Sequence, residues 1–300
     1  MDFPDPVKLA VPFFVALVLI EQVYGRLSGK ATYEAKDTYS SLMMGFGNLI
    51  AGALFAGTWS FASYFLYENR LFTIGYDWKA LVLAIIAYDF SYYWLHRFGH
   101  RMRWMWASHV IHHSSQHYNL STALRQTWTG TISLGFLFTI PWAYVGIDPK
   151  LLAFSAGLNL VYQFWIHTEA IDRLGPLEWV LNTPSHHRVH HAKNPEYLDA
   201  NYAGALIIWD RLFGTFVEED KKNNPPQYGL VSDLGTFNPL KVAFHEYWAL
   251  AKDLISVKGP INKLKLFFMP PGWRPDGTGM TSDDIKRAHQ KRLNQKDPAE

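Results

Sequence analysis

The sequence contains no cysteine among its 300 residues. This absence excludes disulfide bonds, thiolate metal ligands, a cysteine nucleophile and an iron–sulfur cluster. Neither sign of charge is in excess, because 28 basic and 26 acidic residues leave a formal net charge of +2. Such a balance gives no electrostatic reason to expect a nucleic-acid partner. A nucleotide-binding glycine fingerprint is also not evident.

Charged residues are missing from three long stretches, 38–67, 126–147 and 151–168. A helix of about 20 apolar residues is long enough to cross a bilayer. The polar second half of the chain hides these stretches in a mean hydropathy of −0.08. The sequence therefore predicts an all-α integral membrane protein, a helical bundle of about four to five spans. The candidate spans are 7–24, 42–67, 78–95, 127–147 and 151–167.

Histidine is concentrated in three short groups, with spacings of i,i+4 in the first and i,i+3,i+4 in the other two. The groups are His96 and His100; His109, His112 and His113; and His187, His190 and His191. On a helix, each spacing places the imidazoles on one face. Imidazole is the commonest side-chain metal ligand, and eight rings exceed the roughly four to six ligands that one ion takes. The pattern predicts a dinuclear metal site with positions open for a small molecule.

The predicted spans place all three histidine groups on one side of the membrane. The first two groups lie between spans three and four, and the third follows span five. Arg97, Arg101, Arg103 and Arg125 share that side, so the positive-inside rule makes it cytoplasmic. We therefore expect a multi-pass protein of a bacterial inner membrane or the endoplasmic reticulum. Its active site would lie in a cytosolic helical cap.

The residues around the histidines limit the types of reaction that the site could catalyse. A metallopeptidase would carry His-Glu-x-x-His, and carboxylate-bridged di-iron bundles carry Glu-x-x-His; neither pattern is present. A histidine-rich site suits iron and can bind dioxygen at its open positions. Beside a lipid phase, this favours oxidation of an unactivated lipid C–H bond. The alternative is a membrane metal transporter or sensor, which would place its ligands near the membrane midplane and not beyond the helix ends.

Further site candidates lie close to the histidine groups. Asp89 is the acidic residue inside the third predicted span, where it would either orient a ligating histidine or accept a buried hydrogen bond from Tyr or Trp. His167 and Glu169 end the fifth span, and His186 adjoins the third group. Asn201 is a candidate for hydrogen bonding to a ligand. Other residues open to a functional or a structural interpretation are His117, Asp210, Arg125 and Gln126.

At these residues the chain resembles the fatty acid hydroxylase/sterol desaturase superfamily of membrane di-iron enzymes. The matching motifs are His96-Arg-Phe-Gly-His100, His109-Val-Ile-His-His113, His187-Arg-Val-His-His191 and Trp209-Asp-Arg-Leu-Phe-Gly-Thr215. Several stretches are similar to members that hydroxylate glyceryl ethers with dioxygen and tetrahydrobiopterin. They include Tyr118-Asn-Leu-Ser-Thr-Ala-Leu-Arg-Gln126 and Asn182-Thr-Pro-Ser-His-His-Arg-Val-His-His191.

The resemblance implies two iron ions per chain, held by the eight grouped histidines together with His167 and His186. It implies a monooxygenase that hydroxylates a lipid, with a sterol or fatty-acyl desaturase or hydroxylase as the alternative on the same ligands. Electrons would come from an external pterin, cytochrome or ferredoxin. We divide the chain into an N-terminal membrane anchor region (1–80), a catalytic domain (81–220) and a cytosolic C-terminal extension (221–300).

Overall fold

The computed structural model describes residues 3–296. Within them, helices are the regular elements and β-structure is limited to two isolated bridges, which confirms the all-α prediction. The α-helices are α1 Pro6–Ser28, α2 Ala35–Glu68, α3 Trp78–Arg101, α4 Arg103–His113, α5 Leu120–Ala123, α6 Pro141–Val145, α7 Pro149–Trp165, α8 Pro184–His190, α9 Ile208–Leu212, α10 Pro239–Ser256, α11 Pro260–Phe268 and α12 Ser282–Lys296.

Helices α1 and α2 are long and apolar enough to cross a membrane. Asp5 starts α1 by accepting hydrogen bonds from the first free backbone N–H groups, and Gly29 ends it in the left-handed conformation. Most of the apolar surface of both helices faces outward; Leu54 and Phe61 of α2, for example, are 74% and 75% exposed. An outward apolar surface of this extent is typical of helices that contact lipid.

Helices α3 and α7 pack against each other; α3 carries the first histidine group, and His167 follows the end of α7. Small side chains on α3, such as Ala84 and Ala87, share one core cluster with Leu151 and Leu152 of α7. Their size allows the two backbones to approach closely. Asp77 caps the start of α3, and the first histidine group lies in its last two turns.

The predicted fourth span, 127–147, is not one helix, so that prediction is wrong. The segment consists of turns, a 3₁₀ helix at Gly135–Phe138 and the short helix α6. Thr127 diverts the chain from a helix because its hydroxyl accepts a hydrogen bond from the backbone N–H of Thr129 at 3.1 Å. Leu134 adopts a left-handed conformation with φ 62°. Hydropathy alone does not distinguish such a segment from an apolar helix.

The C-terminal helices pack on the histidine-bearing part of the chain. Val242 and Ala243 of α10 join Val110 and Ile111 of α4 in one core cluster. Arg103, at the start of α4, donates hydrogen bonds to carboxylates of α10 at 2.7 and 2.8 Å. These contacts fix the position of α4, which carries the second histidine group.

Candidate metal centre

Five histidines from three helices form a first cluster. Their potential ligand atoms all lie within 4.8 Å of one another, and the members are His96, His100, His109, His113 and His190. The Nε2 atom of His109 lies 2.9 Å from that of His96 and 3.1 Å from that of His113. The Nε2 atoms of His113 and His190 are also 3.1 Å apart. The rings therefore turn the same nitrogen toward a common centre.

Four further histidines form a second cluster beside the first. They are His112, His167, His187 and His191. The Nε2 atom of His167 lies 3.1 Å from that of His112 and 3.0 Å from that of His187. The structure thus brings together nine of the ten histidines that the sequence nominates as ligands.

Consecutive histidines divide between the two clusters. His112 points to the second cluster and His113 to the first, while His190 points to the first and His191 to the second. Neighbouring residues on a helix point about 100° apart, so a His-His pair can serve two adjoining centres. The rings of His113 and His191 stack with centroids 4.4 Å apart. Both His-x-x-His-His motifs consequently contribute to both clusters.

The geometry fits metal ions at these two centres. Two imidazole nitrogens bound to one ion at about 2.1 Å and at right angles would lie about 3 Å apart, which is the separation found here. Nε2 of His100 and Nε2 of His191 are buried and have no hydrogen-bond partner. Buried polar atoms without partners are costly, and coordination would satisfy them. An all-imidazole donor set suits a borderline transition metal such as iron.

Burial lowers the pKa of several clustered histidines and so keeps their rings neutral at neutral pH. It lowers the pKa of His112 to about 4. Burial, followed by the nearby imidazoles, also lowers the pKa of His113, His187 and His191 well below the ordinary value. A neutral ring keeps the nitrogen lone pair that coordination requires.

A short segment at 199–202 orients three rings of the first cluster. The backbone carbonyl of Tyr202 lies 2.8 Å from Nδ1 of His96, and that of Ala200 lies 2.9 Å from Nδ1 of His190. These carbonyls accept from an Nδ1–H group, so Nε2 is the atom left free to bind a metal. The third ring is that of His100, whose Nδ1 lies 3.4 Å from the Asp199 carboxylate.

Asn201 holds this segment in place and does not reach a histidine side chain. It adopts a left-handed conformation (φ 54°), which Asn tolerates better than most residues. Its side-chain amide donates hydrogen bonds to the carbonyls of His186 and Val217 and accepts one from the Val217 N–H. Asp210 fixes the next residues by accepting from the backbone N–H groups of 202 and 203. The predicted site residue Asn201 is therefore a positioning residue.

The second cluster is oriented by backbone carbonyls of other elements. Nδ1 of His167 lies 2.7 Å from the carbonyl of Gln163, and Nδ1 of His112 lies 3.2 Å from that of Arg125. Arg125 is fully buried and donates to the Asp37 carboxylate at 2.6 Å. This ion pair explains Arg125, for which the sequence left a headgroup or cofactor contact open. Gln126 donates to the carbonyl of residue 123 at 2.8 Å, again a contact within the protein.

Asp89 does not contact a histidine. Its carboxylate accepts hydrogen bonds from the Trp209 indole at 2.9 Å, the Asn159 amide at 2.7 Å and the backbone N–H groups of Ala205 and Leu206. Of the two interpretations left open by the sequence, the buried hydrogen bond to an aromatic donor is the one observed. Asp89 joins α3 to α7 and to the 205–209 segment.

His186 lies outside both clusters, unlike its neighbour His187. Its Nε2 is 3.9 Å from the Glu178 carboxylate, and its ring packs edge-on against Phe216. The turn of about 100° between adjacent helical residues points it away from the centre. The sequence-based assignment of His186 as a ligand is therefore not supported by the geometry. His117, which contacts the Thr32 hydroxyl at 3.0 Å, also lies outside the clusters.

Glu169 lies near the second cluster without bonding to one of its rings. It accepts a hydrogen bond from the Tyr228 hydroxyl at 3.2 Å. Tyr228 stacks on Tyr118, and Tyr118 lies 5.2 Å from the ring of His191. Burial raises the pKa of Glu169 above its ordinary value. The rings of Tyr228 and Tyr118 thus lie between Glu169 and the second cluster.

A cavity of about 740 Å³, lined by both charged and apolar residues, opens onto both clusters. His100, His113 and His191 contribute to its lining, together with residues of 229–234 and of α10. Charged groups such as Lys193 and Asp233 lie at its edge. Sequence reasoning missed this cavity, because its walls come from segments far apart in the chain.

The fold and the site define a class of protein: a helical protein with two apolar helices and two buried histidine clusters that fit metal ions. The model of the fatty acid hydroxylase family matches residues 81–215, a range that contains every histidine of both clusters. This match places the histidine-bearing segment 81–215 in the fatty acid hydroxylase family and confirms the resemblance seen in the sequence. Family and histidine clusters together indicate an iron site.

Curated relatives extend the similarity beyond the matched domain. The chain is 43% identical over 280 residues to alkylglycerol monooxygenase of Homo sapiens and 41% identical over 277 residues to that of Xenopus tropicalis. Each alignment covers 91% of this chain and 61% of the relative, so the chain spans about three-fifths of their length. An ornithine lipid hydroxylase of Rhizobium tropici is 29% identical over 49% of this chain and 43% of its own. No solved structure matches the chain.

Proposed function

We propose that this protein is a membrane-bound, dioxygen-dependent monooxygenase that hydroxylates a C–H bond of a lipid at a di-iron site. The observation that carries the proposal is the convergence of nine imidazoles on two adjoining centres. One iron would occupy each centre. The first would be held by His96, His100, His109, His113 and His190, and the second by His112, His167, His187 and His191.

The substrate class we propose is an alkylglycerol, an ether lipid. The support is the name that the four curated relatives above 40% identity share. A lipid of this kind would reach the centres from the side of α1, α2, α3 and α7, whose outward surfaces are apolar. Sterol or fatty-acyl oxidation remains the alternative use of the same ligands.

Bound iron would supply the activation of dioxygen. Hydroxylation inserts one oxygen atom into C–H and reduces the other to water, so two electrons and two protons must come from a donor. The donor would enter through the cavity that touches His100 and His113 and whose lining includes no residue of α1 or α2. A pterin fits a concave cavity of this size better than a protein donor would. A cytochrome or ferredoxin is the alternative.

The chain's own residues would fix the reaction geometry. The 199–202 segment and the carbonyls of Gln163 and Arg125 hold the imidazoles in one tautomer. Rigid ligands keep the reacting C–H bond and the oxidant at a constant separation, which lowers the entropic part of the barrier. The apolar helices would exclude water from the lipid side of the centre.

The proposed topology is multi-pass with the histidine clusters at the cytoplasmic surface. The support is the pair of apolar helices and the arginines that flank the histidine motifs. A bacterial inner membrane or the endoplasmic reticulum would suit this arrangement.

The test is turnover by the purified protein in lipid nanodiscs loaded with ferrous iron. We expect ¹⁸O₂ to label the product of an alkylglycerol in the presence of a reduced pterin. Hydroxylation next to an ether oxygen gives a hemiacetal, so a fatty aldehyde and glycerol should form. The ester-linked acylglycerol of equal chain length is the control and should remain unchanged. Absence of oxygen-dependent product with lipid, iron and each donor class present would contradict the proposal.

A further inference from the structure

Helix α10 exposes an apolar stripe along its length. Leu240, Phe244, Trp248 and Ile255 are 63%, 44%, 66% and 84% exposed. At about 100° per residue these four side chains fall within an arc of about 80°. The opposite side of α10 is buried against the rest of the protein, as Val242 illustrates. The stripe is therefore a continuous surface and not a set of scattered apolar residues.

Helix α11 continues this apolar surface. Ile261, Leu264 and Phe268 are 69%, 59% and 57% exposed and fall within an arc of about 60°. Leu266, on another side of the helix, is buried. We call the seven exposed residues of the two helices the α10–α11 face. Soluble monomers rarely leave so many large apolar side chains together in water.

The charges around the α10–α11 face are of one sign. The stretch 240–268 contains five lysines, all exposed: Lys241, Lys252, Lys258, Lys263 and Lys265. Its two acidic residues turn inward, where Glu246 pairs with Arg103 and Asp253 pairs with Arg103 and Arg274. The outward charge of both helices is therefore positive, next to an apolar stripe.

The α10–α11 face adjoins the membrane-spanning candidate α2. Val242 of α10 shares a core cluster with Met44 of α2 and with Trp128. The ring of Phe244, within the face, lies 6.2 Å from that of Trp128. In the same turns α2 exposes Phe46 by 60%. Apolar surface thus runs from the first turns of α2 to the outer side of α10.

We propose that the α10–α11 face rests in the headgroup region of an anionic membrane, the same bilayer that α1 and α2 cross. A basic amphipathic helix lies in the interface with its apolar side chains in the acyl boundary and its lysines extended to phosphate. Trp248 has the amphipathic ring that favours this depth. The C-terminal region then lies on the membrane surface. The outer side of α10 contacts lipid, and its inner side lines the cavity beside the histidine clusters.

The absence of native cysteine makes a direct test possible. Trp248→Cys and Leu264→Cys would each carry one spin label on the face. Val231→Cys, 57% exposed and outside the face, is the aqueous control, and Leu54→Cys in α2 is the bilayer control. The iron-loaded full chain is placed in phosphatidylcholine vesicles with or without phosphatidylglycerol. Collision with oxygen, which enters lipid, and with a water-soluble nickel chelate reports the depth of each label.

We expect the labels at 248 and 264 to collide several-fold less with nickel than the label at 231, and phosphatidylglycerol to widen the difference. Equal nickel access at all three positions would overturn the proposal. Protection of the labels from nickel that increases with protein density would also overturn it, because a second copy of the chain would then cover the α10–α11 face. So would protection that does not depend on lipid charge. The inference rests on the proposed spanning helices. A water-accessible label at 54 would contradict those spans, whereas a buried label at 54 beside an accessible one at 248 would contradict this proposal alone.

Discussion

The Asp199 carboxylate lies 3.4 Å from Nδ1 of His100 and accepts a hydrogen bond from Arg101 at 2.9 Å. His100 is the member of the first cluster whose Nε2 has no partner among the described residues. A carboxylate behind a ligating histidine fixes its tautomer and the orientation of its ring. Asp199 is thus the charged group best placed to tune the first metal site.

Replacing Asp199 by Asn tests this relationship. The amide keeps the size of the side chain and tolerates the left-handed φ of 51°, but it removes the charge. We expect iron affinity to fall about 10- to 100-fold, measured by competition with a chelator. Asp283→Asn is the matched control, because Asp283 also pairs with Arg101 but touches no histidine. Equal affinities in the two variants would remove Asp199 from the site.

Adjacent histidines give a second test. His187→Ala removes a ligand of the second cluster, and we expect loss of about one iron per chain with no detectable turnover. His186→Ala should retain its iron, because His186 faces Glu178 and Phe216. Metal analysis of both purified variants checks this, with membrane insertion as the control for folding. Loss of iron from His186→Ala, with His187→Ala intact, would reverse the assignment.

Asp89 should contribute to stability more than to chemistry. In Asp89→Asn the new NH₂ group faces N–H donors, and the charge-assisted hydrogen bonds from Trp209 and two backbone groups are weakened. We expect the free energy of unfolding to be roughly 2–4 kcal/mol lower than in the unsubstituted protein. A lower melting temperature would show this. Asp77→Asn is the control, since Asn also caps helices well. Normal stability with lost activity would instead place Asp89 in the reaction.

The metal-free protein should lose stability as the pH falls. Burial lowers the pKa of His112 to about 4 and that of His191 well below its ordinary value, whereas both would titrate near 6.5 in the unfolded chain. On acidification the unfolded chain therefore binds protons at a higher pH than the folded chain does. The free energy of unfolding decreases as the pH is lowered from about 6.5 to about 4. Each such histidine contributes up to about 1.4 kcal/mol per pH unit.

Denaturant midpoints of the metal-free protein between pH 7 and pH 5 measure this slope. His191→Gln should reduce the slope by one histidine's share, because glutamine does not titrate. A midpoint that stays constant or rises on acidification would show that these rings are not buried in the folded state.

The clustering of the histidines could be predicted from the sequence because their spacing forms a local pattern. The i,i+3,i+4 spacing of His109, His112 and His113 needs only helical geometry to bring the rings to one side, and α4 supplies it. The same reasoning failed for His186. Its position in the short helix α8 determines whether its ring faces the cluster or Glu178, and the ring faces Glu178. Adjacency in sequence does not show which way a ring points.

The residues that orient the ligands were not predictable in this way. Asp199 pairs with a histidine 99 positions earlier, and the 200 and 202 carbonyls act through backbone atoms that carry no sequence signal. The irregular 127–147 segment was not predicted because its charge and hydropathy are the same as those of an apolar helix. Its threonines and glycine at 127–133 were the available warning, since these residues favour turns over helix.

Iron content per chain tests the central claim most directly. The account predicts that the purified protein, loaded anaerobically with ferrous iron and dialysed, holds about two irons per chain. His190→Ala should then lower this value to about one. A wild-type value of one or less, or an unchanged value in His190→Ala, would contradict a pair of irons held by the two histidine clusters.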